Sequence, residues 1–157
     1  PPPIQIGNYV WKDLNKNGIQ DPQEPPLSGV KVQLVRNGTV IATAETNKFG
    51  EYLFANDSVS GINEYPKSFL YNISLLESDA DFTLRIDGAQ AVLNGFVNTT
   101  SFAGFPANSN IDNNGSQTSP GILEYSFHTG IDGENNFTYD FGFSPLDPCN
   151  ISLNHLN

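Results

Sequence analysis

Residues 13–24 read DLNKNGIQDPQE, and this dodecapeptide decides how the rest of the chain is read. It satisfies D-x-[DN]-x-[DN]-G-x5-E at every required position, the signature of a loop that wraps once around a calcium ion. Asp13, Asn15 and Asn17 stand at loop positions 1, 3 and 5, where side-chain oxygens face the ion. Gly18, at position 6, permits the sharp turn that a residue with a Cβ resists. Ile19 at position 7 would offer its backbone carbonyl, Asp21 at position 9 a direct or water-mediated oxygen, and Glu24 at position 12 both carboxylate oxygens. Asn at two positions leaves only three carboxylates, so the expected affinity is modest and suits about millimolar calcium outside a cell. An acidic, Asn/Gly-rich surface turn is the plain alternative, and six matches at fixed spacing argue against it. An EF-hand proper needs a helix on each side. Here IGNYVW precedes the loop, β-branched and aromatic, while Pro22, Pro25 and Pro26 restrict a helix after it. The expectation is an EF-hand-like calcium staple in a β protein, not a conformational sensor.

Composition sets the frame around that loop. A chain of 157 residues is one domain, or one domain with a tail, and is long enough for a hydrophobic core. Its net charge of −10 would repel phosphate, which excludes nucleic acid as a partner and favours metal cations. No apolar run approaches a membrane span, and no signal peptide or methionine is present, so a processed product or a segment of a longer chain is expected. Sequons stand at Asn37, Asn56, Asn72, Asn98, Asn114, Asn136 and Asn150, against roughly two or three expected by chance. That excess points to a secreted glycoprotein with some sites occupied, although an Asn-rich chain also scatters sequons freely. A lone cysteine, Cys149, argues against an internal disulfide framework.

Working outward, short strands alternate with turn signals. Ile4, Ile6 and Tyr9 to Trp11 make the first. Val30, Val32 and Leu34 alternate with Lys31 and Gln33. Asn37-Gly38 marks a tight hairpin, TVIATAET returns, and Phe49-Gly50 turns into EYLFAN. After loop-like residues 57–67, SFLYNISLL reads as a strand with Phe69, Tyr71, Ile73 and Leu75 on one face. DFTLRI is another, and AQAVLNGFV is unclear. Residues 99–120 read as one long loop. ILEYSFHT alternates Leu123, Tyr125 and Phe127 against Glu124, Ser126 and His128. NFTYDFGF, the last strand, places Phe137, Tyr139, Phe141 and Phe143 together. No helical stripe is convincing, so an all-β, two-sheet sandwich is predicted.

The residues IGNYVWKDLNKNGIQDPQEPPLSGVKVQLV, TNKFGEYLF and the closing YDFGF together resemble the serine-aspartate-repeat (Sdr) B-type module, kin to the B-type repeats of the collagen adhesin Cna. The likeness frames residues 4–143, the middle matching mainly in outline. It implies an immunoglobulin-like Greek-key β-sandwich, stiffened by calcium and serving as a stalk or spacer of surface proteins, with no catalysis. Two departures stand out. Residues 57–67 exceed the family's short turn, and NSNIDNNGSQ is poorer in Asp than the loop from which the family draws further calcium sites. Asn110, Asp112 and Asn114 keep the alternate spacing of a weaker second site, which Asp132 and Glu134 could complete, but Gly121 stands where its closing Glu would be. A solvated Asn-rich loop is the plainer alternative. The related modules carry Lys–Asn isopeptide bonds; Lys12 beside the loop and Lys31 off the apolar face do not fit one.

Pro1-Pro2-Pro3 reads as an extended linker, and residues 144–157 as a linker or extended C-terminal tail. In the tail, Ile151 and Leu153 alternate. It is either a linker stub or, through residues 150–156, a strand added to a neighbouring copy in a filament. For catalysis the chain offers little: no nucleophile elbow, phosphate loop or zinc-spaced Cys/His set, and only two histidines, His128 and His155. The expectation is a non-catalytic, calcium-stabilised structural module of an extracellular, cell-surface assembly. The alternative is an adhesive or carbohydrate-binding domain using Tyr65, Phe102 and Phe105, whose blander role is to cap the sandwich.

Overall fold

The computed structural model describes residues 2–57, 67–104 and 110–146. Among these residues ten strands form two five-stranded sheets. The first sheet contains β1 (Gln5–Lys12), β4 (Glu51–Ala55), β5 (Phe69–Leu70), β7 (Phe96–Asn98) and β10 (Phe141–Pro145), in the order β5-β4-β1-β10-β7. The second contains β2 (Lys31–Arg36), β3 (Thr39–Glu45), β6 (Asp81–Asp87), β8 (Ser116–Ser119) and β9 (Ile122–His128), in the order β3-β2-β6-β9-β8. Helix is confined, among the described residues, to a single 3-10 turn at Ala91–Leu93.

Alternation decides which faces meet. On β6, Phe82, Leu84 and Ile86 are buried while Asp81 and Asp87 face solvent; on β9, Leu123 and Phe127 turn inward opposite them. Ile6, Val10, Phe54, Phe141 and Phe143 of the first sheet join Val32, Leu34, Leu84 and Ile86 of the second in one core. Each such side chain stabilises the fold by about 1.5–3 kcal/mol relative to exposure. The β2–β3 turn is built by Asn37 and Gly38, at φ 51° and 77°, the two positive values that a tight hairpin demands. Gly142 is required for a different reason: a Cβ there would stand 2.6 Å from the buried Trp11 ring.

Several sequence expectations need correction. SFLYNISLL contributes only the two residues of β5, because Asn72 takes φ 59° and ends the extended run; Leu76 is buried and Leu75 half exposed. The single loop expected over residues 99–120 contains β8, and Ser101 bridges Asn113. AQAVLNGFV resolves into the 3-10 turn and β7. In NFTYDFGF, Tyr139, Phe141 and Phe143 are buried, but Phe137 is 42% exposed, because the strand proper starts at Phe141.

One pairing governs the layout. β1 and β10 run parallel, with Val10 opposite Phe141 and Lys12 opposite Phe143. The described chain therefore starts at one pole of the sandwich, beside Asn56 and Asn136, and leaves at the other, where the Leu146 amide donates to the Gly95 carbonyl at 2.9 Å.

Candidate metal centre

The loop of residues 13–24 lies at the exit pole, pinned at both ends. The Asp13 amide donates to the Phe143 carbonyl and the Lys12 amide to the Pro25 carbonyl, both at 2.8 Å, while Trp11 bridges Pro26. Within it, Asn15 and Asn17 direct their amide nitrogens onto Asp21 Oδ2 at 2.7 and 2.9 Å. Glu24 closes the ring, accepting from the Asp21 amide at 3.0 Å and the Asn15 amide at 3.4 Å. Asp13 is buried beneath, its Oδ2 accepting from the Gly18 amide at 2.7 Å and from the Thr99 hydroxyl. Asp13 Oδ1 is buried and has no hydrogen-bond partner among the described residues. Gly18, at φ 77°, is overlaid by residues 100–103; a Cβ would lie 2.7 Å from the Thr100 carbonyl. Ile19 forms an antiparallel bridge with Asp112.

That bridge joins the first loop to the second acidic stretch. The Gln20 amide donates to the Ile111 carbonyl at 2.8 Å. Asp112 is fully buried; its Oδ2 accepts from the Gly104 amide at 3.2 Å and its Oδ1 has no partner among the described residues. Burial pushes its carboxyl above the usual carboxylate range, against the pull of backbone donors. Asn114 exchanges two bonds with Asp140, amide to carbonyl at 2.8 Å and amide to Asn114 Oδ1 at 3.0 Å. Asp140 is the residue the sequence reading missed. It is 2% exposed, accepts from the Gln20 side chain at 2.8 Å, and is pushed up to about 7 by burial, which those hydrogen bonds oppose and the Asp112 charge reinforces. The signal was an acid inside the aromatic run YDFGF, read there only as a strand.

Asp132 and Glu134 are exposed in the turn after β9, where Glu134 reaches back to the Ile131 amide at 3.4 Å; neither bonds to Asp112 or Asn114 among the described contacts. Asn110 is exposed. Among the described residues no three His, Cys, Asp or Glu side chains gather closely enough to hold a metal by themselves. The donor set thus depends on amide and carbonyl oxygens as well, the hard-oxygen chemistry that calcium prefers. Asp13, Asp112 and Asp140 are nevertheless three buried acids in or against this loop, and none is in an ion pair among the described residues. Burying anions without compensation is costly, and the orphaned oxygens of Asp13 and Asp112 fit a cation that would supply it.

The sequons separate by environment. Asn37 and Asn72 are exposed. Asn56 and Asn98 commit their amide nitrogens to the carbonyls of Leu76 and Gly115, at 2.8 and 3.1 Å, and Asn114 is buried. Asn136 accepts from its own sequon hydroxyl, Thr138, at 2.6 Å. Asn150, Cys149, His155 and the strand expected within residues 150–156 lie outside the described residues, as do Tyr65 and Phe105. Phe102 is 42% exposed and packs on Tyr125, ring centroids 6.1 Å apart.

Comparison with known proteins follows the same outline. A family model described as the SdrD B-like domain matches residues 4–82. The serine-aspartate repeat-containing protein F of Staphylococcus epidermidis is 37% identical over 108 residues, covering 66% of this chain and 6% of that protein. The serine-aspartate repeat-containing protein D of Staphylococcus aureus (strain Newman) is also 37% identical over 108 residues, covering 66% and 8%. The chain thus spans less than a tenth of the length of these relatives. Among solved structures, a Klebsiella pneumoniae 5-hydroxyisourate hydrolase covers 94% of this chain and 93% of its own at 15% identity, with a TM-score of 0.39, too low to bear on activity.

Proposed function

Because the chain belongs to the SdrD B-like domain family, we propose that it is a calcium-stabilised structural module of an extracellular surface assembly, without catalytic activity. The observation that carries this reading is the buried Asp13 carboxylate, with one oxygen unpartnered, set beneath a ring of Asn15, Asn17, Asp21 and Glu24 at the exit pole. Asp13, Asn15, Asn17, Asp21 and Glu24 would hold the ion, with the Ile19 carbonyl. When bound, calcium would neutralise the buried acids and add its binding free energy to folding. A weaker second site would draw on Asp112 and Asn114 with Asp140 in place of Asp132 and Glu134, because Asp140 is the acid that the fold brings to them. Calcium at the exit pole would stiffen the point where one module hands over to the next. The crossing connections between the sheets are read as Greek-key wiring. Neighbouring copies, joined through residues 150–156 as an added strand, are the proposed partners in a filament.

Thermal melting of the wild type and of Asp13→Ala/Glu24→Ala, with and without chelator, tests the reading. The wild type is expected to lose about 5–10 °C on chelation, the shift for a ligand at roughly 100 times its Kd, and the double variant to be insensitive. A wild-type melt unmoved by chelator removes the calcium role.

A further inference from the structure

Asparagine is followed by glycine at four places in the chain: Asn17-Gly18, Asn37-Gly38, Asn94-Gly95 and Asn114-Gly115. In such a pair the glycine nitrogen can attack the asparagine Cγ, because the following residue has no side chain to obstruct the approach. In a folded protein the attack needs that nitrogen free and a backbone that can bring it to Cγ. The fold treats the four pairs differently.

Two pairs are locked. The Gly18 amide donates to Asp13 Oδ2 at 2.7 Å, and the Asn17 side-chain amide to Asp21 at 2.9 Å. The Gly115 amide donates to Asn113 Oδ1 at 3.0 Å, while Asn114 is buried and its Oδ1 accepts from the Asp140 amide. The third pair is exposed but wrongly turned. Asn94, at φ −61° and ψ 125°, and Gly95, at φ 87°, have the angles of a type II turn. Closing the ring in an L residue requires ψ of about −120°, the value at the first central position of a II′ turn. Flipping the peptide of a type II turn gives type I, whose ψ of about −30° falls far short.

Asn37-Gly38 differs on both counts. Both residues are exposed, and neither the Asn37 side chain nor the Gly38 amide has a hydrogen-bond partner among the described residues. Their φ values of 51° and 77° are those of a I′ turn. Flipping the peptide here gives II′, the other turn that a two-residue hairpin accepts, with the Arg36–Thr39 pair kept. Asn37 retains its positive φ and gains the ψ that ring closure needs. Gly38 swings to negative φ, which glycine does freely, and a Cβ there would meet nothing within 4 Å.

We propose that Asn37-Gly38 is a self-modifying site that converts to aspartate and isoaspartate through a cyclic imide. The Gly38 nitrogen gives up its proton to hydroxide and bonds to Asn37 Cγ. The Cγ–Nδ2 bond breaks, and the nitrogen takes up a proton from water and leaves as ammonia. Water then opens one of the two imide C–N bonds. One opening gives aspartate; the other gives isoaspartate, whose main chain runs through Cβ and Cγ. The product places a new carboxylate in the groove that Asn37 lines with Asp81 and His128. It also ends the sequon Asn37-Gly38-Thr39, because the nitrogen that would carry a saccharide has left.

The test is a time course on the native protein, made in a host that attaches no saccharide and held near pH 8, beside a sample unfolded in guanidinium. Peptide mass spectrometry reads the gain of about 1 Da at each pair. In the native protein Asn37 is expected to convert at least about tenfold faster than Asn17, Asn94 or Asn114, and in the unfolded chain the four should run within about threefold of one another. The product at position 37 should contain both aspartate and isoaspartate. An Asn37 that converts only when unfolded, or no faster than Asn94 in the native protein, overturns the proposal. Aspartate without isoaspartate would mean direct hydrolysis by water and overturns the ring.

Discussion

His128 sits between two carboxylates, Asp81 on Nδ1 and Asp79 on Nε2, each at 2.7 Å. Hydrogen bonds to Asp81 and Asp79 raise its pKa above 6.5, and desolvation opposes them weakly. A group whose folded pKa is raised contributes stability fully present below the unfolded value and lost as pH rises through the folded one. The wild type should therefore outlast His128→Gln in melts near pH 5.5 and approach it by pH 9; a gap that widens with pH would contradict this. The alternation of ILEYSFHT places His128 on the polar face, where it stands, but its two partners lie 47 and 49 residues away in sequence and no local pattern announces them. The same divide runs through the candidate metal centre. That Asp13, Asn15, Asn17, Asp21 and Glu24 share one loop was legible, because their spacing is short. Asp140 was not, because its role depends on Gln20, 120 residues distant.

At the scale of elements, Asn113 is a central tie of the segment between β7 and β8. Asn113 is fully buried; its amide nitrogen donates to Asn98 Oδ1 and the Thr99 carbonyl at 2.8 and 2.9 Å. Its oxygen accepts from the amides of Gly115 and Gly142 at 3.0 and 3.1 Å. Asn113→Ala would strand these groups out of water, at a cost of about 3 kcal/mol, or roughly 6–12 °C in melting temperature. Asn113→Asp, which sets a second carboxylate oxygen against the Asn98 and Thr99 acceptors and buries an anion, should fall at least as far as alanine; an alanine variant as stable as wild type would mean that water replaces the amide. Composition described these residues as loop because Asn, Ser and Gly dominate them, and nothing local reveals that an amide does the joining there. Conversely the β2–β3 hairpin was readable to the residue, since Asn37-Gly38 states its own turn geometry. SFLYNISLL misled for a physical reason: its period of two persists past Asn72, where the backbone has already turned.

Across the whole molecule, the parallel pairing of β1 with β10 sets how load would pass. Tension between residues 4 and 146 draws these strands along each other, so Val10, Trp11 and Lys12 resist together with their partners. Tension between residues 12 and 146, both at the exit pole, would open the contacts one after another. Single-molecule pulling is expected to give a markedly higher rupture force for the first pair of handles than for the second, and chelation should lower the first if the loop at residues 13–24 holds its ion. Equal forces would mean that the β1–β10 contact is not what yields. The two-sheet outline at this scale was legible from alternation and turn residues, but the strand order was not, because β10 reaches β1 across more than 120 residues of chain. That arrangement also makes the unit a ruler. With residues 4 and 146 at opposite ends, copies linked there in tandem would each advance by one height, and reach would grow in simple proportion to their number.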